Sequence, residues 1–363
     1  MQSYARYILK SLIIPVLVIT ITLTMVVWLT QSVRFIDMII NRGLGIGSFL
    51  YLSLLLIPSL VSVILPIALF VSIVFVYNRL TMSSELIVLQ GAGLSKVALA
   101  KPALIIGTAA TILGYILSLY LMPISNRELK DLQVYIRDNY AAVMMQEGVF
   151  NSPIPGLTLY IQEKQDDGLM KGILIHDERD PDKAVTLMAK EGRLVQTPNG
   201  LSFDLTKGNR QSVNQKQDQL SLLYFDQYTL DLSMLTKTSA TRWREPQERF
   251  INELFIPDKD QPQMTPKLRA EGHQRITWPL YNALLTMVAL IAMFSGSFNR
   301  RGQWKRIITS TVIAIMLLVF SIALHNAVAN KQNLEMIVYI NIFAWLFAAI
   351  VFFLKPDIKK RKS

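Results

Sequence analysis

The sequence predicts a membrane α plus β protein: six transmembrane helices, three plus three, with an inserted β-jellyroll-like domain. Three observations carry that prediction. Apolar residues gather at the two ends, in runs at 11–33, 48–76 and 102–121 and again at 276–298, 307–329 and 334–354. No Asp, Glu, Lys or Arg stands in the middle of any run. Residues 124–275 are polar, and most of that stretch is short strand-like runs separated by turn residues.

Each run is long enough to span a bilayer, since about 20 helical residues rise about 30 Å, the depth of the hydrocarbon core. The first run follows a basic start, Met1–Lys10, that resembles the leading part of a signal peptide. The segment Trp28-Leu29-Thr30-Gln31-Ser32 lacks a small-x-small cleavage site, so a retained signal-anchor helix is expected. The second run is too long for one straight span and contains Pro58 and Pro66. One kinked or tilted helix is expected there, because proline inside a span bends it without ending it. A re-entrant pair would reverse the sidedness of everything that follows.

Charge decides between these. With a single second helix, fourteen Lys and Arg residues fall on one side: Arg6, Lys10, Arg79, Lys96, Lys101, Arg300, Arg301, Lys305, Arg306, Lys355 and the four at 359–362. Three, Arg34, Arg42 and Lys331, fall in the short loops of the other. The positive-inside rule then places both termini in the cytoplasm and the insert outside. The same loops account for most of the net charge of +11 through anionic inner-leaflet lipid, so no nucleic-acid partner is called for. The expected domains are 1–123 for helices one to three, 124–275 for the outer domain and its connectors, and 276–363 for helices four to six and a basic tail.

After Pro123 a polar helical stretch, 125–145, carries the third span into water. Strand-like runs follow at 157–162, 171–176, 184–189, 192–196, 201–206 and 220–232. Turn signals separate them: Asp166-Asp167-Gly168, Asp180-Pro181-Asp182, Glu191-Gly192, Pro198-Asn199-Gly200 and Lys207-Gly208-Asn209. This pattern indicates an antiparallel sandwich or jelly roll. Runs apolar on both faces, such as Leu222-Leu223-Tyr224-Phe225, suit either a closed core or an open groove for lipid tails. A polar return with Pro246, Pro257, Pro262 and Pro266 leads back to the membrane, with a helix expected near 245–254.

Several chemistries have no signature in the chain. There is no Gly-x-x-x-x-Gly-Lys-Ser/Thr phosphate loop and no Gly-x-Ser-x-Gly elbow. There is no cysteine, and His176, His273 and His325 show no metal spacing. No catalytic residue, cofactor or metal is expected. Gly43-Leu44-Gly45-Ile46-Gly47 follows no strand and reads as an inter-span loop. Spans without charge disfavour an ion-coupled transporter, which ordinarily keeps polar ligands at membrane depth. Transport by such a chain would draw its energy from a partner subunit.

The segment suited to such a partner lies between the second and third spans, at 81–95. Ser83 or Ser84 is placed to cap a short helix, Glu85 falls near its positive end, and Gly91 and Gly93 end it. Leu86, Ile87, Val88 and Leu89 would make it apolar. It suits either an interfacial helix lying on lipid or a coupling helix seated in a soluble ATPase, with Glu85 facing a basic residue.

The chain resembles the LptF/LptG (YjgP/YjgQ) family of lipopolysaccharide-export permeases over nearly its whole length. The matching residues are Arg6-Tyr7, Trp28-Leu29-Thr30-Gln31-Ser32-Val33-Arg34, Leu65-Pro66, Ser84-Glu85 and Gly91-Ala92-Gly93-Leu94-Ser95. Thr30-Gln31-Ser32 and Asn41-Arg42-Gly43 look more like the LptF branch. The resemblance implies six helices with a periplasmic β-jellyroll, and a heterodimer with an LptG-like permease in the inner membrane of a Gram-negative bacterium. It implies an LptB-like cytoplasmic ATPase, an LptC-like periplasmic partner and lipopolysaccharide as cargo. By that resemblance Glu85, with Ser84, Leu86, Leu89, Gly91 and Gly93 around it, meets the ATPase, while Arg34 and Arg42 face lipid A phosphates and core sugars. Snorkelling to headgroups is the plain alternative for Arg34. A membrane-anchored scaffold or sensor and an ion-coupled lipid flippase are the competing functions.

Overall fold

A computed structural model describes residues 3–40, 46–143, 147–154, 156–165, 168–178, 183–197, 200–214, 219–231, 242–259, 261–295, 303–330 and 335–354. The chain forms two compact units. The first comprises Met1–Arg34, Leu50–Leu129 and Arg244–Ser363; the second comprises Phe35–Phe49 and Lys130–Trp243.

The helices are α1 (Ser3–Ile40), α2 (Ile46–Leu54), α3 (Ile57–Met82), α4 (Glu85–Gly91), α5 (Lys96–Ile116) and α6 (Met122–Val143) before the sheet. After it come α7 (Ile251–Leu254), α8 (Thr265–Thr277), α9 (Leu280–Phe294), α10 (Trp304–Asn330) and α11 (Glu335–Leu354). Five stretches are long and apolar enough to cross a membrane: Tyr4–Val33, Ile46–Met82, Lys96–Val134, Trp304–Ala329 and Glu335–Leu354. A sixth arises when Pro262–Thr277 and Leu280–Phe294, bent by 45°, act together. By itself α9, with 15 residues or about 22 Å, falls short of the core depth, and α8 supplies the remaining length. Run two is one broken span: α2 stops at Leu54 and α3 restarts at Ile57, with a proline in its first turn and Pro66 inside it. The third span passes through a π-helical turn at Leu117–Leu121 into α6, as the polar continuation predicted.

The membrane unit is centred on α3, α5 and α9, whose buried side chains include Leu69, Ile73, Tyr77, Leu99, Ala103, Tyr281, Leu285 and Leu290. Small residues set the spacing. A Cβ at Gly107 would lie 2.6 Å from Thr286 Oγ1, and one at Gly114 would lie 3.0 Å from Asn282 Nδ2. Close approach of this kind is how helices associate where lipid competes equally for apolar surface. Tyr77 donates its hydroxyl hydrogen to Leu99 O at 2.7 Å, which ties α3 to α5. Trp28 Nε1–H donates to Ser53 O at 2.8 Å and holds α1 to α2.

Residues 244–258 pack with the membrane helices and are strapped down by two arginines. Arg127 Nε donates to Glu248 O, its guanidinium pairs with Glu253, and its Cζ sits 4.3 Å over the Phe250 ring. Arg275, only 2% exposed, donates to Arg249 O at 2.6 Å, Pro246 O at 3.0 Å and Glu271 at 2.9 Å. The helix expected near 245–254 appears as a 3₁₀ turn, Pro246–Glu248, and the single turn of α7.

The second unit is a six-stranded antiparallel sheet of β1 (Phe150–Ile154), β2 (Leu157–Lys164), β3 (Met170–Asp177), β4 (Lys183–Thr197), β5 (Gly200–Asn214) and β6 (Gln219–Asp231). Each strand pairs with its neighbours in sequence, so the described strands form a meander without the crossed connections of a jelly roll. Two expected turns are corrected. Glu191-Gly192 lies inside β4, which joins the runs at 184–189 and 192–196, and Lys207-Gly208-Asn209 lies inside β5.

Those residues instead mark a crease. The pairing skips position 162 on β2, 172 on β3, 190 on β4, 207 on β5 and 226 on β6. Gly172 and Lys207 have positive φ of 63° and 54°. The buried parity changes across that line, from Ile173 and Ile175 to Met170 on β3 and from Leu187 and Ala189 to Gly192 on β4. One residue on each strand drops out of the ladder at this line while the register stays the same on both sides, so the alternation of side chains restarts there and the sheet bends while keeping one face apolar. The core of this unit is Leu157, Leu159, Ile161, Ile173, Ile175, Leu187, Phe203 and Leu205.

Candidate functional site

The predicted partner-binding segment folds as a short helical elbow between α3 and α5. Neither serine caps α4 with its side chain, contrary to the expectation. Ser84, at the N-cap, takes φ 60°, ψ 4° and makes no side-chain cap bond. Capping needs an extended residue there, so the hydroxyl is turned away from the first-turn amides. Ser83 Oγ instead donates to Glu85 Oε1 at 2.8 Å.

The far end of α4 carries a Schellman motif. Leu94 N–H donates to Leu89 O at 3.2 Å and Gly93 N–H to Gln90 O at 3.0 Å. Gly93 supplies the left-handed residue, with φ 91°, and Leu89 and Leu94 both pack against the membrane core. Ser95 then caps α5 by accepting from Ala98 N–H at 3.2 Å. The string Gly91-Ala92-Gly93-Leu94-Ser95 therefore encodes one helix stop and the next helix start.

The six predicted coupling residues divide by direction. Leu86 is buried and Leu89 half-buried, and both anchor the elbow to the membrane helices. Ser84 and Glu85 are half-buried, while Gly91 and Gly93 are exposed. Ile87 and Val88 face outward, Val88 at 69% exposure, and they form the apolar surface that Leu86 and Leu89 do not. Seven residues make two turns, so a helix this short shows both faces within one apolar run and periodicity cannot assign them.

Glu85 and Arg79, in the last turn of α3, both lie near the Tyr7 hydroxyl. Tyr7 near the N-terminus and Glu85 at the start of α4 thus meet. The two residues lie far apart in the chain, so no sequence pattern joins them. Arg127 and Arg275, which hold the connector, were likewise not foreseen.

Arg34 lies in α1, but its side chain is outside the described residues, as are Arg42, Gly43, Gly45, Arg300, Arg301, Lys331 and the basic tail after Leu354. The turns at 166–167, 180–182 and 198–199 also fall outside them.

Long apolar spans, a short helical elbow between two of them and a creased antiparallel sheet together describe a multi-pass membrane protein with a sheet domain. A family model for the "Lipopolysaccharide export system permease LptF/LptG" matches residues 6–355, and the chain belongs to that family. An uncharacterized protein of Rickettsia prowazekii is 29% identical over 95% of this chain and 97% of its own length. The lipopolysaccharide export system permease protein LptF of Escherichia coli K12 is 24% identical over 56% of this chain and 57% of its own. The same coverage and identity hold for LptF of Shigella flexneri. Family membership supports a role as a permease component in lipopolysaccharide export.

Proposed function

We propose that this chain is the LptF-like, non-catalytic permease subunit of an ATP-driven extractor of lipopolysaccharide from the inner membrane. Its partners are an LptG-like permease, an LptB-like cytoplasmic ATPase and an LptC-like periplasmic protein. Both termini and the 81–95 elbow are cytoplasmic, and residues 124–275 are periplasmic. The observation that carries this reading is the elbow. It is fixed at both ends by backbone motifs, anchored by Leu86 and Leu89, and presents Glu85, Ile87 and Val88. A rigid element of this kind transmits movement of a docked ATPase to α3 and α5, where a mobile loop would absorb it.

Lipid enters near the outer end of α1, where Arg34 and Arg42 would meet phosphate through charge-assisted, paired hydrogen bonds. The lipid then leaves along the sheet. Among the described residues β6 has no further strand neighbour, and it is 13 residues long with Leu222, Leu223 and Tyr224 exposed. An open edge of that length favours strand addition by a second sheet, whereas β1 is five residues long and irregular.

Glu85→Lys reverses the charge on the docking face while leaving Leu86 and Leu89 in place. It is expected to abolish export and weaken association with the ATPase, with helix content and detergent stability unchanged. Pull-down of the ATPase by the variant at wild-type yield would overturn the coupling assignment.

A further inference from the structure

Arg210 stands on the apolar face of the sheet. In register across the strands it shares a row with Leu159, Ile175, Leu187 and Leu223. Burial falls along that row. Leu159, Ile175 and Leu187 are at most 4% exposed, Arg210 is half-buried, and Leu223 is 53% exposed. The face thus opens toward β6, with a cation at the opening. Alternation also puts Lys164 and Asp177 on this face, each at the end of its strand, while Lys190, Lys207 and Asp226 stand on the crease. Among the described residues Arg210 has no hydrogen-bond acceptor and no carboxylate partner, and its Nε–H is enclosed by protein. A guanidinium held against apolar side chains without a counter-charge is costly, and buried polar groups ordinarily have a partner.

We infer that Arg210 reads the anionic head of the exported lipid as it crosses the sheet, with phosphate on Nη1 and Nη2 and acyl chains on Leu187, Leu223 and Phe225. This rests on the permease reading above and adds to it the residue that selects for phosphate. The planar fork of arginine gives phosphate two parallel, charge-assisted hydrogen bonds. Ser212 and Ser221, paired in the next row of the same face, bring hydroxyls beside it. The row also favours a lipid over an acidic side chain from an added strand. A strand on the β6 edge would lie two strand spacings, about 10 Å, from β5, with Leu223 standing between its side chains and Arg210. A lipid lying on the face meets the guanidinium and the leucines together.

The test is photo-crosslinking from position 223 of the full chain in detergent. The probes are lipid A with its phosphates and the same lipid with them removed. With Arg210 in place the phosphorylated lipid should be captured about tenfold better, the effect of one hydrogen-bonding partner that carries charge. Arg210→Gln should abolish that preference while both lipids are still captured, and Arg210→Lys should restore part of it. Lys171→Gln, on the opposite face, should leave the preference intact. Equal capture of the two lipids, or an unchanged preference in Arg210→Gln, would overturn the inference and leave lipid passage along the sheet standing. Capture of neither lipid would overturn the sheet route and the inference with it. Competition by millimolar inorganic phosphate would mark a phosphate-only site and overturn it too. So would a crosslink in membranes from position 223 to a periplasmic protein that Arg210→Gln removes, since the guanidinium would then belong to that partner. A second measurement guards against a purely structural role. Arg210→Leu should hold or raise the melting temperature of the lipid-free chain, because no native hydrogen bond is lost; a clear fall would make Arg210 a structural residue and refute the assignment.

Discussion

Gly93 and Gly91 stand two residues apart and do different things. Gly93 has φ 91°, and its amide closes the stop of α4 on Gln90 O. Gly91 is the last residue of α4, and a Cβ there would meet nothing within 4 Å. Gly93→Ala should therefore cost about 1 kcal/mol and loosen the elbow. Gly91→Ala should be neutral or stabilise by about 0.5 kcal/mol. Amide exchange across 85–95, compared between the two variants, checks this, and equal protection would show that the left-handed residue is not what fixes the elbow. The sequence showed that a helix ends here. It could not show which glycine ends it, because that depends on a backbone angle set by Leu89 and Leu94 packing together.

Among the elements, the α5–α9 contact and the connector strap carry the sharpest expectations. Gly107 faces Thr286 at a distance no larger side chain can occupy. Gly107→Leu should separate the helices and cost about 2 kcal/mol or more. Ala109→Leu, at an exposed position one residue removed from that contact's neighbour, should be tolerated. Thermal unfolding in detergent separates the two, and equal melting temperatures would refute close packing at Gly107.

In the strap, burial works against ionising Glu253. The hydrogen bonds from Arg127 and the Phe250 amide, with the Arg127 and Arg244 charges, outweigh it and hold the carboxyl below its usual pKa. A depressed carboxyl stabilises the fold above its unfolded pKa, and that contribution is lost as pH falls through the lower folded value. Wild type should therefore lose stability below about pH 4 more steeply than Glu253→Gln, which lacks the titrating group. Parallel pH profiles would remove the pair from the account. The helices themselves were legible because apolar length needs no partner to be read. The crease was not, because Glu191-Gly192 and Lys207-Gly208-Asn209 carry the same residue types whether a strand turns back or bends.

For the whole molecule, the expected outcome of purification in mild detergent is co-elution with an LptB-like ATPase, an LptC-like protein and a second related permease. A chain that elutes alone from membranes containing those proteins would favour the anchored scaffold. Much of α1, α10 and α11 is apolar and uncovered within the chain, as lipid and a second subunit both require.

The sequence alone determined that long apolar helices flank a sheet of strands, and that the chain belongs to its family. Each of these follows from composition, period or order along the chain, which local physics fixes. Tertiary structure decided which residues of those elements meet. It brought Tyr7 to Glu85, turned Leu86 and Leu89 inward and Ile87 and Val88 outward, and set Arg127 and Arg275 on the connector. It also folded one meander along a crease and left a cavity between α9, α10 and α11. Those outcomes depend on packing between segments far apart in the chain, where small differences in side-chain volume and backbone angle choose among arrangements the same pattern allows.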